Sequence, residues 1–346
     1  MTSTTSGRVT VVTGASAGVG RAVVRELGRR GHAVGLIARG AAGLQAAAEE
    51  VVRLGGRASW AAVDVTDLHA LRHAAGRISS ELGPLTGWIN TAFVGGLRYF
   101  WDTDDATFRR ITDVTYHGYV NGTRVALEHM RPRNHGVIIQ VGSAMAFRGI
   151  PLQAAYCGAK HAIKGFTESV ITELRHERSA VRICMAQLPA VNTPQFNWND
   201  TEFDEHPMPV PPIFQPEPVA RAICYLLEHP RRSLWIGPST AYTILGNRLV
   251  PRLLDWYLGR SGVDSQLTEE SGPRWGTNID KPRDERADRG AHGMFDDRAH
   301  AHDPWSWTSM HRRELGIAAG VAGATAMIIG RVRRGFVRPR PRQNGG

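Results

Sequence analysis

The sequence predicts a doubly wound α/β fold, a parallel sheet of about seven strands with helices on both faces. Three observations carry it. Apolar runs alternate with amphipathic stretches through most of the chain. Glycine or proline marks the ends of several helical stretches. A glycine-rich run follows the first apolar run and opens the first helical one. Strands separated by helices form right-handed βαβ units, which close into a parallel sheet covered on both sides.

Arg8–Thr13 reads as a buried strand and Gly18–Arg30 as a helix ended by Gly31. Ala33–Ala38 is a second strand, and Ala42–Leu54 a helix closed by Gly55 and Gly56. Ala58–Val63 is a third strand. Asp67–Leu82 is a helix before Gly83 and Pro84, and Thr86–Asn90 a fourth strand. A long helical region runs from Asp104 to Met130. Gly136–Val141, Val181–Leu188 and Ser233–Ile236 complete the strands, with helices at Ala154–His176 and Glu217–Glu228.

The chain has 346 residues, 42% hydrophobic and 21% charged, which excludes wholesale disorder and collagen-like repeats. Cys157, Cys184 and Cys224 are isolated and form no zinc motif, so no metal is expected. Sparse cysteines point to a reducing compartment, the cytoplasm. The polar stretch Met1–Gly7 leaves no room for a secretory signal before the first strand. The formal charge of +10 invites a nucleic-acid reading, but six arginines from Arg331 to Arg342 supply most of it. The excess is a tail, not a basic face, and no nucleic-acid partner is expected.

Composition divides the chain into a catalytic domain over 1–260, an irregular or disordered linker over 261–310, and a tail over 311–346. His292, His300 and His302 lie in the linker and read as solvated polar residues or a metal site. Leu315–Gly330 carries no charge and is flanked by arginines. It is short for a span, which takes roughly 20 residues. It reads as a helix packed on the body or a partner, or as a membrane-associated segment.

Thr13-Gly14-Ala15-Ser16-Ala17-Gly18-Val19-Gly20 sits between the first strand and first helix, where a dinucleotide pyrophosphate is bound. Glycines let the backbone approach the phosphates, and the helix N-terminus offers free N–H groups. The second strand ends Ala38-Arg39-Gly40 without an acid. NAD sites commonly place an acid there, whereas Arg suits the 2′-phosphate of NADP, so NADP is the expected cofactor. Asp64, before Val65, is placed to reach the adenine or to cap the following helix.

Tyr156 and Lys160, four apart on a helix, project from one face. A neighbouring ammonium lowers a phenol pKa, so the pair can move a proton at a carbonyl or alcohol oxygen. Ser143 ends the fifth strand, at the edge of the sheet where ligands bind, and can donate to a substrate oxygen.

Together, the glycine pattern, Ser143, Tyr156 and Lys160 resemble the short-chain dehydrogenase/reductase family, in its smaller single-domain branch. The resemblance covers about residues 7–240. It implies a Rossmann fold and hydride transfer between a nicotinamide and a carbonyl or alcohol. Tyr156 would then exchange the proton, Lys160 would lower its pKa and hold the nicotinamide ribose, and Ser143 would hold the substrate oxygen. Gly14, Gly18 and Gly20 would cradle the pyrophosphate, Asn90 and Ala92 would border the cofactor, and Pro189 and Thr193 the nicotinamide. In the chain's departures from the family pattern, Thr91 and Phe93 replace an asparagine and a glycine of Asn-Asn-Ala-Gly, Thr115 a relay asparagine, and Ala190 a glycine. Thr193–Pro216, with Phe196, Trp198, Phe203, Met208 and Phe214, covers the pocket or packs on the body or another subunit. As a cover it implies a small hydrophobic carbonyl or alcohol substrate. The competing reading is a catalytically weak nucleotide-binding sensor or scaffold with a membrane-directed tail.

Overall fold

The computed structural model describes residues 7–272, 274–312 and 314–317. Its main sheet has seven parallel strands: β1 (Val9–Thr13), β2 (Ala33–Ala38), β3 (Arg57–Ala62), β4 (Leu85–Asn90), β5 (Val137–Ser143), β6 (Arg182–Leu188) and β7 (Ser233–Trp235). They lie in the order β7-β6-β5-β4-β1-β2-β3, so the strand order reverses between β1 and β4. That switch point opens a crevice at the carboxyl ends of the strands, where ligands of such sheets bind. This is the seven-strand Rossmann-like architecture the pattern predicts.

The central strands are apolar throughout because both faces are covered. β1 and β2 are buried at every position. On one face, Val11, Trp88 and Ile138 pack with Leu71 and Ile78 of α3 (Leu68–Leu82), Val125 of α5 (Gly118–Met130) and Ile171 of α6 (Ala154–His176). Trp88 satisfies its indole N–H on Asn90 Oδ1 at 2.8 Å. On the other face, α1 (Gly18–Arg29) packs on α7 (Pro216–Glu228). Leu27 of α1 is fully buried, and truncating such a side chain costs about 2–5 kcal/mol.

The long helical region from Asp104 to Met130 is not one regular helix. α4 (Asp105–Thr112) and α5 are joined by a π-helical turn over Asp113–His117, centred on the buried Thr115. Such turns are often found at functional sites. Asp64 does not cap α3; Asp67 does, its carboxylate accepting from Ala70 N at 2.9 Å.

The expected boundary near residue 260 moves. The chain divides into units at Asp303, and residues 261–303 belong with the nucleotide fold. They are irregular, but they are not a free linker. α2 (Ala41–Arg53) starts with no side-chain cap of its own. Residues 277–293, here the strap, supply one: Ala42 N donates to Glu285 O at 3.2 Å and Gly43 N to Asp284 O at 3.0 Å. Ile279 is buried beside Val65, Ile111 and Val114. The polar composition hid this packing because the strap is held by backbone bonds and ion pairs, which carry no hydrophobic period. In the second unit, Pro304–Met310 is a short helix. From residue 318 the predicted Leu315–Gly330 segment and the arginine tail lie outside the described residues. Among those described, no helix is long and apolar enough to cross a membrane.

Candidate active site

A cavity of about 470 Å³ opens at the carboxyl ends of the strands. The loop from β1 to α1 forms its floor. Gly14 has φ +70° and Gly18 φ +56°, the left-handed region that favours glycine. A Cβ on Gly14 would come within 2.8 Å of the Ala92 backbone, so a side chain there has no room. α1 has no side-chain cap and no acid in its first turn. Its first turn lines the cavity and brings the helix's partial positive charge to it, while Gly18 N already donates to Gly290 O at 3.0 Å. Gly14, Ser16, Gly18, Val19 and Gly20 all line the cavity. This cradle fits a dinucleotide pyrophosphate.

Ser143, Tyr156 and Lys160 line the same cavity. β5 delivers Ser143 at its carboxyl end, and the first turns of α6 deliver the other two. Ser143 Oγ accepts from Met145 N at 3.1 Å. Lys160 Nζ donates to Val141 O at 2.8 Å and to Tyr119 Oη at 3.2 Å. Tyr119 in turn donates to Val141 O at 2.9 Å. Tyr119 is a site residue the sequence reading missed; its signal is its place on α5, one turn after Thr115.

The electrostatics differ from the simple ammonium–phenol pair. Burial pushes the Tyr156 phenol well above its usual pKa, with a hydrogen bond from Ser143 pulling the other way. Burial also pulls the Lys160 ammonium down to about 7. In a site this dry, desolvation dominates both shifts. Lys160 Nζ lies 5.6 Å from the Tyr156 ring centroid, and its bonds go to Tyr119 and Val141.

The remaining predicted residues divide. Val65, Ala92, Pro189 and Thr193 line the cavity. Asn90 does not: it is fully buried, donating to Gln140 Oε1 at 2.9 Å and accepting from Trp88. Its amide ties β4 to β5. Asp64 lines the cavity, but it accepts from Thr66 N at 3.0 Å and pairs with Arg110. Arg39 reaches the cavity edge while donating to Asn278 O, to Ile279 O at 3.0 Å and to Asp280 O at 3.2 Å. Phe93, where the family pattern has glycine, sets its ring edge-on to Tyr156 at 5.8 Å. Thr115 Oγ1 bonds the Val94 backbone, donating to its O at 3.0 Å.

Phe196, Trp198 and Met208 line the outer cavity, as do Tyr242 of α8 (Pro238–Leu249) and Leu254 of α9 (Pro251–Ser261). Phe203 and Phe214 do not; Phe203 packs on Tyr99 and Phe214 on His300. Among the described residues no group of three or more His, Cys, Asp or Glu could hold a metal.

A doubly wound sheet with a glycine cradle and a Ser, Tyr and Lys in one crevice defines a nucleotide-dependent oxidoreductase. Residues 8–202 match the short chain dehydrogenase family. The chain is 31% identical over 323 residues to an uncharacterized oxidoreductase, YxnA, of Bacillus subtilis, covering 92% of this chain and 89% of that one. A metagenomic short-chain oxidoreductase solved with NADP is similar at 25% identity and TM-score 0.56, covering 67% of this chain and 97% of that one. Levodione reductase shares the fold, with TM-score 0.59 at 21% identity over 68% of this chain and 98% of that one. The protein therefore belongs to the short-chain dehydrogenase/reductase family, whose typical cofactor is NAD(P). The YxnA match is long enough to take in the strap.

Proposed function

We propose that this protein is an NADP(H)-dependent oxidoreductase that interconverts a carbonyl and a secondary alcohol. The observation that carries the reading is the convergence of Ser143, Tyr156 and Lys160 on the cavity floored by the glycine loop. A nicotinamide dinucleotide, when bound, supplies the hydride or takes it back. The raised pKa of Tyr156 keeps its phenol protonated at neutral pH, which suits an acid that gives its proton to the oxygen of a reduced carbonyl. Ser143 orients that oxygen. Lys160 positions Tyr119 and the Val141 carbonyl at the cavity wall and offers its ammonium to a ribose. Arg39, and a β2 end without an acid, support the 2′-phosphate form of the cofactor. The NADP in the metagenomic relative is in keeping with that choice.

The apolar walls at Phe196, Trp198, Met208 and Leu254 support a hydrophobic substrate. A second reading, a weakly catalytic nucleotide sensor, rests on Thr115, whose hydroxyl is engaged by Val94. Oxidation of NADPH, followed by absorbance over a panel of hydrophobic ketones and aldehydes, tests both. Turnover supports the oxidoreductase. Measurable NADPH binding with no turnover on any of them favours the sensor.

A further inference from the structure

The end of β2 lacks the acid that commonly binds an adenosine ribose, yet the structure places a carboxylate there from far along the chain. The strap carries Asp284 onto the start of α2, where its backbone oxygen accepts from Gly43 N at 3.0 Å. Its side chain lies directly over two glycines. A Cβ on Gly40 would fall 1.8 Å from Asp284 Oδ1, and one on Gly43 2.6 Å from Oδ2. Any larger residue at Gly40 would displace the carboxylate.

Asp284 is 5% exposed and lines the cavity with Ser16, Arg39 and Gly40. No donor among the described residues bonds its carboxylate. Its oxygens are not among the fully buried polar atoms that lack a partner; at the cavity wall they are open to a ligand that brings a donor. The ribose 2′-hydroxyl of a dinucleotide is such a donor. A 2′-phosphate is the opposite: it brings negative charge against a buried carboxylate.

We propose that Asp284 is a cofactor-specificity residue supplied by the strap. It accepts from a free ribose 2′-hydroxyl and opposes the attraction of Arg39 for a 2′-phosphate. This rests on the dinucleotide reading of the cavity. The two residues pull in opposite directions at one subsite, so the ratio of NADPH to NADH affinity is set by their balance. Arg39 also donates to the strap carbonyls at 278–280, which ties that balance to the position of the strap.

The test is Asp284→Asn in the full chain, with NADH and NADPH dissociation constants read by titration of nicotinamide fluorescence. Asparagine keeps the shape and removes the charge. NADPH should bind more tightly and NADH more weakly, moving their ratio by about tenfold or more. A purely structural role would weaken both alike. A second measurement needs no variant: NADH lacking the adenosine 2′-hydroxyl should bind the unmodified chain more weakly than NADH. If both cofactors bind but the ratio is unmoved, or the deoxy analogue binds as well as NADH, the role of Asp284 is refuted while the dinucleotide reading stands. If the unmodified chain binds neither cofactor, the dinucleotide reading fails and this inference goes with it.

Discussion

Arg21 on α1 and Asp288 in the strap, 267 residues apart in the chain, form a two-pronged ion pair, Nη1 to Oδ1 at 3.0 Å and Nη2 to Oδ2 at 3.1 Å. Arg21 is fully buried and also bonds Glu50 at 2.8 Å and the carbonyls of Ser16 and Gly43 at 3.0 Å each. One guanidinium thus joins the glycine loop, α2 and the strap. A buried guanidinium stripped of a partner is costly, so the strap is fixed against the glycine loop.

That clamp gives unequal losses. Arg21→Ala should cost about 3–5 kcal/mol, because it leaves the Ser16 and Gly43 carbonyls without their buried donor and Asp288 without its partner, while Arg25 still holds Glu50. Asp288→Ala should cost less, about 1–3 kcal/mol, since Asp288 is partly exposed and Glu50 still holds the cation. Urea melts give the sizes, and hydrogen exchange over residues 284–290 reports the strap. Equal losses for both variants would refute the shared clamp.

Tyr156→Phe removes one oxygen from a buried ring. The ring packing against Phe93 remains, so cofactor binding should persist. Turnover should fall by about 10²–10⁴, the usual range for loss of a proton-transfer group. Turnover near that of the unmodified chain would mean that another group delivers the proton.

Arg39→Asp should weaken NADPH more than NADH, by about 1.5–3 kcal/mol for a lost charge-assisted contact. Because Arg39 also holds the carbonyls at 278–280, the same change should speed hydrogen exchange in the strap. A loss of NADPH affinity with an unchanged strap would separate the two roles; equal loss of both cofactors would refute the phosphate role.

His292 anchors the far end of the strap. Its Nε2 lies 2.9 Å from Glu217 Oε1 and its Nδ1 2.7 Å from Asp296 Oδ1. Burial works against the charged ring, but bonds to the two carboxylates outweigh it and raise its pKa. With the folded value above 6.5, the added stability is fully present at lower pH and is lost as pH rises through the folded pKa. Strap exchange protection should therefore fall as pH is raised through the folded pKa, above 6.5, and His292→Gln should abolish that dependence. An unmodified chain whose protection does not change with pH would contradict this.

The sheet, the glycine loop and the Ser143, Tyr156 and Lys160 set were legible because each has a local signal: buried strands read as apolar runs, and these three residues sit at element ends. Asn90 was misplaced because its position matches a family motif while its amide turns into the core to satisfy Trp88. The strap was not legible. Its residues 277–293 meet α1 and α2 through backbone carbonyls and single carboxylates, and only a three-dimensional path brings Asp284 over Gly40. The lowered phenol pKa expected of Tyr156 was also not found, since spacing along a helix says nothing about how dry its surroundings are.

Lys160 is fully buried, and its pKa falls from 10.5 to about 7 through burial alone. The folded chain therefore binds fewer protons than the unfolded chain between about pH 7 and 10.5, and stability should rise with pH across that window. Below pH 7 both states carry the charge, and the fold bears the whole desolvation cost. Lys160→Met keeps much of the stem and removes the ammonium, and Tyr119 still donates to Val141 O. The variant should be more stable than the unmodified chain at pH 6, and the gap should close as pH approaches 10.5. It should also lose turnover, as expected where a strained polar group is kept for function. Melting temperatures at pH 6 and pH 10, with turnover measured alongside, make the comparison. A variant less stable at pH 6 would show that the bonds to Tyr119 and Val141 outweigh the cost of burying the charge.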